Sequence, residues 1–366
     1  MKSGTRVVWA ITTFTLAALA LTACSTPSAP VPIGGDTTSP TPEPVYVTTP
    51  LTGEKFLDGS PEAIASTRSS VACKIDNSQA ARPQLGLNST DIVYDEMVEG
   101  GLTRLVAVWQ SKLDKATAVG PVRSIRPMDP DIISPLGGIV CYSGGQLIFV
   151  NMMKNTAVFN ASETTEQGKG TFKRVTDRYA PHNVVVNALK LSTNHPEILA
   201  PQKHFEFAAD LAGATAVTEG KPVDSFTVKF PAASALWTPN GNETKWLRTQ
   251  DGAIHKDAAD GNQIAATNVV VLQVGIDRSY ADKKYGHIPK TIIVGSGKGW
   301  VFTGGSYVAV KWSKANALAP VVLTTNAGTP VLLAPGNTWV ELMPKAPEGS
   351  LTLKARAQAA TPTPSQ

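Results

Sequence analysis

The chain has 366 residues, and its 42% hydrophobic and 17% charged residues are typical of a folded protein, which excludes a wholly disordered chain. Lys and Arg outnumber Asp and Glu by 33 to 29, and a net charge of +4 is too small to indicate nucleic acid as a partner. Three cysteines exclude a disulfide-rich scaffold and a four-cysteine zinc site. At about 100–200 residues per domain, the length predicts two domains.

The first 23 residues are typical of a lipoprotein signal peptide. Lys2 and Arg6 precede a short apolar stretch that ends in Leu21-Thr22-Ala23-Cys24. A stretch of this length, followed by small residues, indicates a cleaved signal rather than a membrane span. Its end resembles a bacterial lipobox, which implies a lipid on the Cys24 thiol, cleavage just before it, and acylation of the new amino terminus, with palmitate expected. We therefore expect an anchor on the extracytoplasmic face of the cell membrane, with an uncut signal anchor or a soluble secreted protein as alternatives.

Two further segments are predicted to lie outside the folded part. Residues 25–50 contain 16 Pro, Ser or Thr among 26 positions and neither Lys nor Arg. Such a composition buries too little apolar surface to fold, so residues 24–56 are predicted to form an extended tether. The last residues, 356–366, are predicted to be a disordered tail.

Residues 57–215 are predicted to form a mixed α/β domain, because buried strands alternate there with loops and helices. The run Val71–Asp76 is typical of a buried strand. A second such strand, Gly138–Tyr142, leads through Ser143-Gly144-Gly145 into a helix over residues 146–155. This succession of strand, turn and helix indicates part of a mixed sheet with helices packed on it.

A β-hairpin is predicted inside this domain. Two apolar-rich runs, Ile92–Val98 and Leu102–Gln110, flank Gly100-Gly101. A Gly-Gly pair between two such runs predicts antiparallel strands joined by a two-residue turn.

Residues 223–355 are predicted to form a β-rich domain. Short runs of β-branched and aromatic residues alternate there with turns, and little helical periodicity is present. The pattern predicts an antiparallel meander or a barrel-like sheet, so the whole protein is predicted to be α+β. Five tryptophans in this half are predicted to form its core, with exposed rings that stack on sugars as the alternative: Trp237, Trp246, Trp300, Trp312 and Trp339.

Several motifs carry a resemblance to a known family. They are the runs Lys74–Asn77, Ala81–Gln84, Asp91–Tyr94, Glu99–Arg104, Val119–Pro127, Ser143–Gly145 and Ala180–Asn183, with weaker matches at Asn268–Val271 and Pro335–Val340. With these motifs the chain resembles the YerB-like family of bacterial lipoproteins over most of residues 70–345. The resemblance implies an N-terminal and a C-terminal domain. It implies no particular reaction, because the family has no settled activity.

The predicted hairpin is a first candidate site. A two-residue turn would place Asp95, Glu99 and Arg104 on one face of the hairpin, with Arg104 between the two carboxylates. Glu96 would lie on the other face. The favoured interpretation is a structural ion-pair cluster that fixes the register, and acid/base chemistry by Glu96 or Glu99 is the alternative.

Arginines and a glycine-rich turn predict an anion site in the same domain. Arg123 and Arg126 lie three residues apart, Arg82 precedes them, and a guanidinium group binds carboxylate or phosphate through two donors. The turn Ser143-Gly144-Gly145 exposes backbone N–H groups ahead of a helix. If both elements meet at the carboxyl edge of the sheet, they form a crevice for an anionic ligand. The alternative is that the arginines pair with nearby carboxylates and join loops.

Nucleophilic, metal and cofactor chemistry find little support in the sequence. Ser143, His182 and Asp177 could form a triad, but Cys141 replaces the first glycine of the G-x-S-x-G pattern. His182 is instead predicted to bond within its turn. The histidines show no metal-binding spacing, so neither a metal nor a cofactor is predicted.

Two cysteines fall on strands that are predicted to be central. In an exported protein, Cys73 and Cys141 could form a disulfide if their strands are neighbours. Two buried free thiols that pack as small apolar side chains are the alternative.

The favoured hypothesis is a non-catalytic binding or accessory protein of the cell envelope. Its lipid would attach it to the membrane. An anionic cell-wall polymer or an envelope protein would be held by four arginines, Arg82, Arg104, Arg123 and Arg126. Nucleic acid is excluded as a partner. The alternative is an envelope hydrolase or transferase that uses the hairpin carboxylates. A scaffold for membrane proteins would instead show an exposed apolar patch on the β-rich half.

Overall fold

A computed structural model describes residues 43–283 and 286–356 of the chain. The described residues from Pro44 onward belong to one compact unit. The predictions for the signal peptide, for Cys24, for the first part of the tether and for the tail after residue 356 concern segments outside the described residues.

The first half of this unit combines short helices with strands. Its helices are α1 (Pro61–Ala65), α2 (Asp129–Ile133), α3 (Leu147–Lys154), α4 (Ala188–Asn194) and α5 (Thr215–Thr218). Its strands are β1 (Tyr46–Thr48), β2 (Lys55–Leu57), β3 (Val71–Asp76), β4 (Ile92–Met97), β5 (Thr103–Trp109), β6 (Ile139–Tyr142), β7 (Phe159–Ser162), β8 (Phe172–Arg174) and β9 (Val184–Val186).

The second half consists of strands. They are β10 (Lys221–Phe230), β11 (Ala233–Pro239), β12 (Trp246–Gln250), β13 (Ala253–Ile254), β14 (Ala265–Ala266), β15 (Asn268–Asp282), β16 (Gly286–Ile292), β17 (Gly295–Thr303), β18 (Ser306–Lys314), β19 (Val322–Thr325), β20 (Thr338–Pro344) and β21 (Ser350–Ala355). The prediction of an α+β protein with a β-rich second half is therefore confirmed.

A central sheet crosses both halves of the chain. Its strand order is β7-β6-β3-β5-β4-β20-β15-β17-β18-β19. Strand β20, from near the end of the chain, lies between β4 and β15 and is parallel to both. The two halves thus share backbone hydrogen bonds through β20, although most other pairings in the second half are antiparallel.

Alternating side chains of the central sheet supply two apolar cores. Val71, Cys73 and Ile75 of β3 point to a core that also contains Trp237 and Trp246, from a second sheet formed by β21, β10, β11 and β12. The opposite face packs on α2 and α3 in a second core. Trp300 is half-buried, and the other four tryptophans of the second half are buried, as the core interpretation predicted.

The ordered chain begins earlier than the sequence predicted. Strands β1 and β2 pair with each other, and Leu51 between them is fully buried. Residues 46–56 therefore belong to the folded unit and not to the tether. Their Thr and Pro content misled the prediction, because the buried side chains of Thr49 and Thr52 hydrogen-bond to each other.

Candidate functional site

A pocket of about 420 Å³ lies at the carboxyl edge of β3 and β6, between the turn after β4 and the start of α3. It is lined by Val98, Glu99, Leu102, Arg104, Arg123, Ser124, Arg126, Gly145 and Gln146. We call it the arginine pocket. It brings together three of the four arginines and the glycine-rich turn that the sequence singled out for anion binding.

The position of Arg104 follows from a register that differs from the prediction. Glu99–Gly101 form a three-residue turn, in which Val98 N–H donates to Leu102 O, so Met97 pairs with Thr103. The predicted two-residue turn at Gly100-Gly101 was therefore wrong, and the register of the hairpin differs from the prediction by one residue. A shift of one residue changes which side chains of the two strands share a face.

Arg104 consequently lies between two carboxylates other than those predicted. It is opposite Glu96 on β4 and opposite Asp76 on β3. Asp95 points to the other face of the sheet, and Glu99 contacts Arg126 instead.

The Arg104 guanidinium is buried but poorly satisfied. The residue is 7% exposed, its Nη1 donates to the Ser124 carbonyl at 3.4 Å, and its Nε has no hydrogen-bond partner among the described residues. Burial and the neighbouring Arg126 lower the pKa of Arg104 to about 10. A bound anion would supply the acceptor that the Nε atom lacks.

The other two arginines of the pocket are partly engaged. Arg126 Nε donates to Glu99 Oε2 at 2.9 Å. Arg123 Nε lies 3.5 Å from Asp76 Oδ2 without hydrogen-bond geometry, and its Nη1 donates to the Pro181 carbonyl at 3.2 Å. The residues that line the pocket thus include three guanidinium groups and one carboxylate, Glu99, so the charge of the lining favours an anionic ligand.

The glycine-rich turn closes the pocket from the α3 side. We call residues 123–126 the arginine loop. Ile125 N–H donates to the Gly144 carbonyl at 3.2 Å, which joins this loop to the glycine-rich turn. Gly144 has φ of 76°, a left-handed conformation that favours glycine. Gln146, the N-cap residue of α3, makes no side-chain capping hydrogen bond and lines the pocket together with Gly145.

Beneath the pocket lies a fully buried triad of Lys74, Glu96 and Asp129. Lys74 Nζ bonds to Glu96 Oε1 and, at 2.6 Å, to Asp129 Oδ1. Asp129 Oδ2 accepts from the Arg126 backbone N–H at 2.6 Å, which fixes the arginine loop on the triad. Burial and the neighbouring Asp129 raise the pKa of Glu96 to about 7. Glu96 has no exposed surface for a substrate, which opposes its use in acid/base chemistry.

Asp95 belongs to a separate buried cluster on the other face. Arg248 Nη2 lies 2.6 Å from Asp95 Oδ2 and 3.6 Å from Glu341 Oε1, and its guanidinium lies 4.7 Å from the Trp339 ring centroid. Burial and Glu341 raise the pKa of Asp95 well above its usual range. This cluster joins β4, β12 and β20 and lines no part of the arginine pocket.

The structure does not form the triad of Ser143, His182 and Asp177. Ser143 Oγ donates to Glu163 Oε2 at 2.7 Å. His182 Nδ1 bonds to Asp76 Oδ2 at 2.7 Å, at the end of β3, and the His182 backbone N–H donates to the Tyr179 carbonyl within its own turn.

Sequence reasoning did not single out Asp76. Burial would raise its pKa, but the Ser78 N–H, Arg104, His182 and Arg123 together lower it. Its position at the carboxyl end of a predicted buried strand was the available signal.

The remaining candidates lie nearby or in the core. Arg82 pairs with Asp251 at 2.8 Å outside the arginine pocket. Cys73 and Cys141 face each other on neighbouring parallel strands and form a disulfide, with 4.4 Å between their Cα atoms. No group of three metal-ligating side chains occurs among the residues that the structure describes.

Comparison with known proteins identifies the class of protein. The model of the DUF3048 N-terminal domain, a protein of unknown function, matches residues 51–199, and the model of the corresponding C-terminal domain matches residues 226–340. The chain therefore belongs to the YerB-like family, which carries these two domains.

One relative and its structure fit this assignment. The chain is 24% identical to the Bacillus subtilis (strain 168) protein named "Putative lipoprotein YerB", over 83% of this chain and 88% of the relative. The crystal structure of YerB from Bacillus subtilis matches with a TM-score of 0.69 at 21% identity, over 84% of this chain and 99% of that one. The structural match shows that the fold is shared. Within the described residues, no helix is long and apolar enough to cross a membrane.

Proposed function

We propose that the chain is a lipid-anchored protein on the extracytoplasmic face of the cell membrane that binds an anionic ligand without chemically changing it. The lipobox around Cys24 and the lipoprotein name of its relative support the anchor. The observation that carries the binding role is the under-satisfied guanidinium of Arg104 in a pocket with two further arginines.

The charges around the pocket favour binding over catalysis. Glu96 is buried against Lys74, and Glu99 pairs with Arg126, so neither carboxylate is free to transfer a proton to a substrate. An arginine keeps its proton at neutral pH and serves as a donor and a cation. Such groups hold an anion in place but supply neither a nucleophile nor a base.

The test measures anion binding by the full chain in detergent, using isothermal titration with inorganic phosphate and with glycerol phosphate. Arg123→Gln should weaken binding of both about tenfold, since a charged hydrogen bond contributes on the order of 1.5 kcal/mol. Arg278→Gln is the matched control, because Arg278 pairs with Glu348 on the surface outside the pocket. Absence of binding by the unaltered chain, or equal weakening by both variants, would contradict the proposal.

A second measurement separates binding from catalysis. The full chain is incubated with isolated cell-wall sacculi, the mixture is sedimented, and the supernatant is analysed by mass spectrometry. We expect protein in the pellet and no released fragments. Fragments that disappear with Glu99→Gln would establish the hydrolase alternative.

A further inference from the structure

A second pocket lies beside the arginine pocket. It has a volume of about 400 Å³ and is lined by Ala80, Arg82, Pro83, Asp177, Arg178, Tyr179 and His182. Its lining contains two arginines and one carboxylate, and Arg82 is paired with Asp251 at its border. The sequence singled out its Arg82 as a ligand-binding residue, and the family comparison assigns the pocket no role.

Asp76 separates the two pockets. Its Oδ2 atom accepts from His182 of the second pocket at 2.7 Å and lies 3.5 Å from Arg123 Nε of the arginine pocket. Arg123 Nη1 also donates to the carbonyl of Pro181, the residue before His182. Residues in the walls of the two pockets are therefore in direct contact.

The second pocket presents groups that suit another anionic unit. Arg178 donates to the carbonyls of Ala81 at 2.6 Å and Pro83 at 2.5 Å, and it forms no ion pair among the described residues. His182 uses Nδ1 for Asp76, which leaves Nε2 without a partner in the described part of the chain. Tyr179 is 92% exposed at the rim, where its ring offers a surface for the apolar part of a ligand.

We infer that the ligand is a linear chain with repeated phosphate groups, one held in the arginine pocket and the next over Arg82, Arg178 and His182. This inference rests on the proposed function and specifies its ligand. We place the terminal phosphate of the chain in the arginine pocket, because three guanidinium groups converge there and a terminal phosphate offers more acceptor oxygens than a carboxylate. The next unit, a phosphodiester, then lies over the second pocket. Two linked sites also gain affinity, because binding of the first unit raises the effective concentration of the second.

The experiment compares glycerol phosphate with oligomers of glycerol phosphate of increasing length, titrated into the full chain in detergent. The two-unit oligomer should bind at least tenfold more tightly than the monomer. Arg82→Gln should weaken oligomer binding about fivefold and leave monomer binding unchanged, since an exposed charge contact contributes up to about 1 kcal/mol. Arg178→Gln should behave in the same way, and Arg278→Gln should alter neither.

The outcomes distinguish this inference from the proposed function. Equal affinity for monomer and oligomer would overturn the repeated-phosphate ligand and leave the anion pocket in place. Equal weakening of the oligomer by Arg82→Gln and Arg278→Gln would also overturn it, because the effect would then be one of net charge. Polyglutamate of matched charge that binds as tightly as the oligomer would overturn the choice of phosphate. Failure of every ligand to bind would overturn the proposed function itself.

Discussion

Arg104 of the hairpin formed by β4 and β5, and Arg248, which contacts this hairpin from the other face of the central sheet, are both buried but have different surroundings. Arg248 is fully buried, with Asp95 at 2.6 Å, Glu341 at 3.6 Å and the ring of Trp339 beneath it. Among the described residues, Arg104 makes a long hydrogen bond to the Ser124 carbonyl and no ion pair, and the Nε atoms of both arginines lack a hydrogen-bond partner there. A cation that is enclosed by carboxylates holds a fold together, whereas one left short of acceptors at a pocket wall is suited to a ligand.

The side of the sheet decides which role each arginine takes. Arg248 lies between the central sheet and the second sheet, where solvent has no access. Arg104 lies at the start of β5 next to residues 123–126, where the sheet edge opens to the arginine pocket. Comparing variants of the two arginines therefore separates effects on stability from effects on binding.

The largest expected effect is on stability, from Arg248→Met. This change leaves Asp95 and Glu341 buried without their cation, and removal of one partner from a buried ion pair costs about 3–5 kcal/mol. Urea unfolding followed by tryptophan fluorescence measures the loss. Arg278→Met, at an exposed pair, should cost less than about 1 kcal/mol. A loss at Arg248 no larger than that of the control would show that the cluster does not hold the two halves together.

The second effect is a pH dependence that comes from the triad beneath the pocket. The pKa of Glu96 is raised from 4.5 to about 7 in the folded chain, so between these values the folded state retains a proton that the unfolded state releases. The free energy of unfolding should fall as pH rises across this window, by up to about 1.4 kcal/mol per pH unit from this group. Below pH 4.5 the stabilisation that protonated Glu96 adds to the free energy of unfolding is fully present.

Glu96→Gln isolates that contribution. Urea unfolding at pH 5, 6, 7 and 8 should give a shallower decline for the variant than for the unaltered chain. Glu348→Gln, an exposed carboxylate, is the control and should reproduce the unaltered profile. Parallel profiles for all three chains would show that Glu96 titrates normally.

The third effect is on binding: Arg104→Gln should weaken phosphate binding more than it lowers the free energy of unfolding, in contrast to Arg248→Met. Its guanidinium has no ion pair among the described residues, so the free energy of unfolding should change by no more than about 1–2 kcal/mol. Phosphate binding should weaken more than tenfold. A stability loss as large as that of Arg248→Met, with phosphate binding unchanged, would make Arg104 a structural residue like its counterpart.

Local features of this fold could be predicted from the sequence, and its long-range pairings could not. Apolar runs predicted β3, β4, β5 and β6 because burial on both faces leaves a continuous apolar pattern. The turn at Glu99–Gly101 was wrong by one residue, because a Gly-Gly pair suits several turn lengths. Because of this one-residue difference, the cross-strand neighbour of Arg104 is Glu96 in the structure and not the predicted Asp95.

The candidate site shows the same division. The sequence predicted an anion crevice on the condition that the arginine loop and the glycine-rich turn meet at a sheet edge, and in the structure residues of both line one pocket. Asp76 and His182 are 106 residues apart, and Asp95 and Arg248 are 153 apart. No local pattern encodes such pairs, because they depend on how the whole sheet is ordered.

The smallest expected effect is a gain in affinity from Glu99→Gln. Glu99 Oε2 holds Arg126 Nε at 2.9 Å, so an anion in the arginine pocket competes with this carboxylate for the guanidinium. The amide keeps an acceptor oxygen but removes the negative charge, which should strengthen phosphate binding about threefold, as for other partly exposed charge contacts. Titration at two salt concentrations measures the change, and the gain should shrink at high salt because the pair is partly exposed. Weaker binding would mean that Glu99 orients Arg126 for the ligand, so that fixed geometry contributes more to the site than its excess of positive charge.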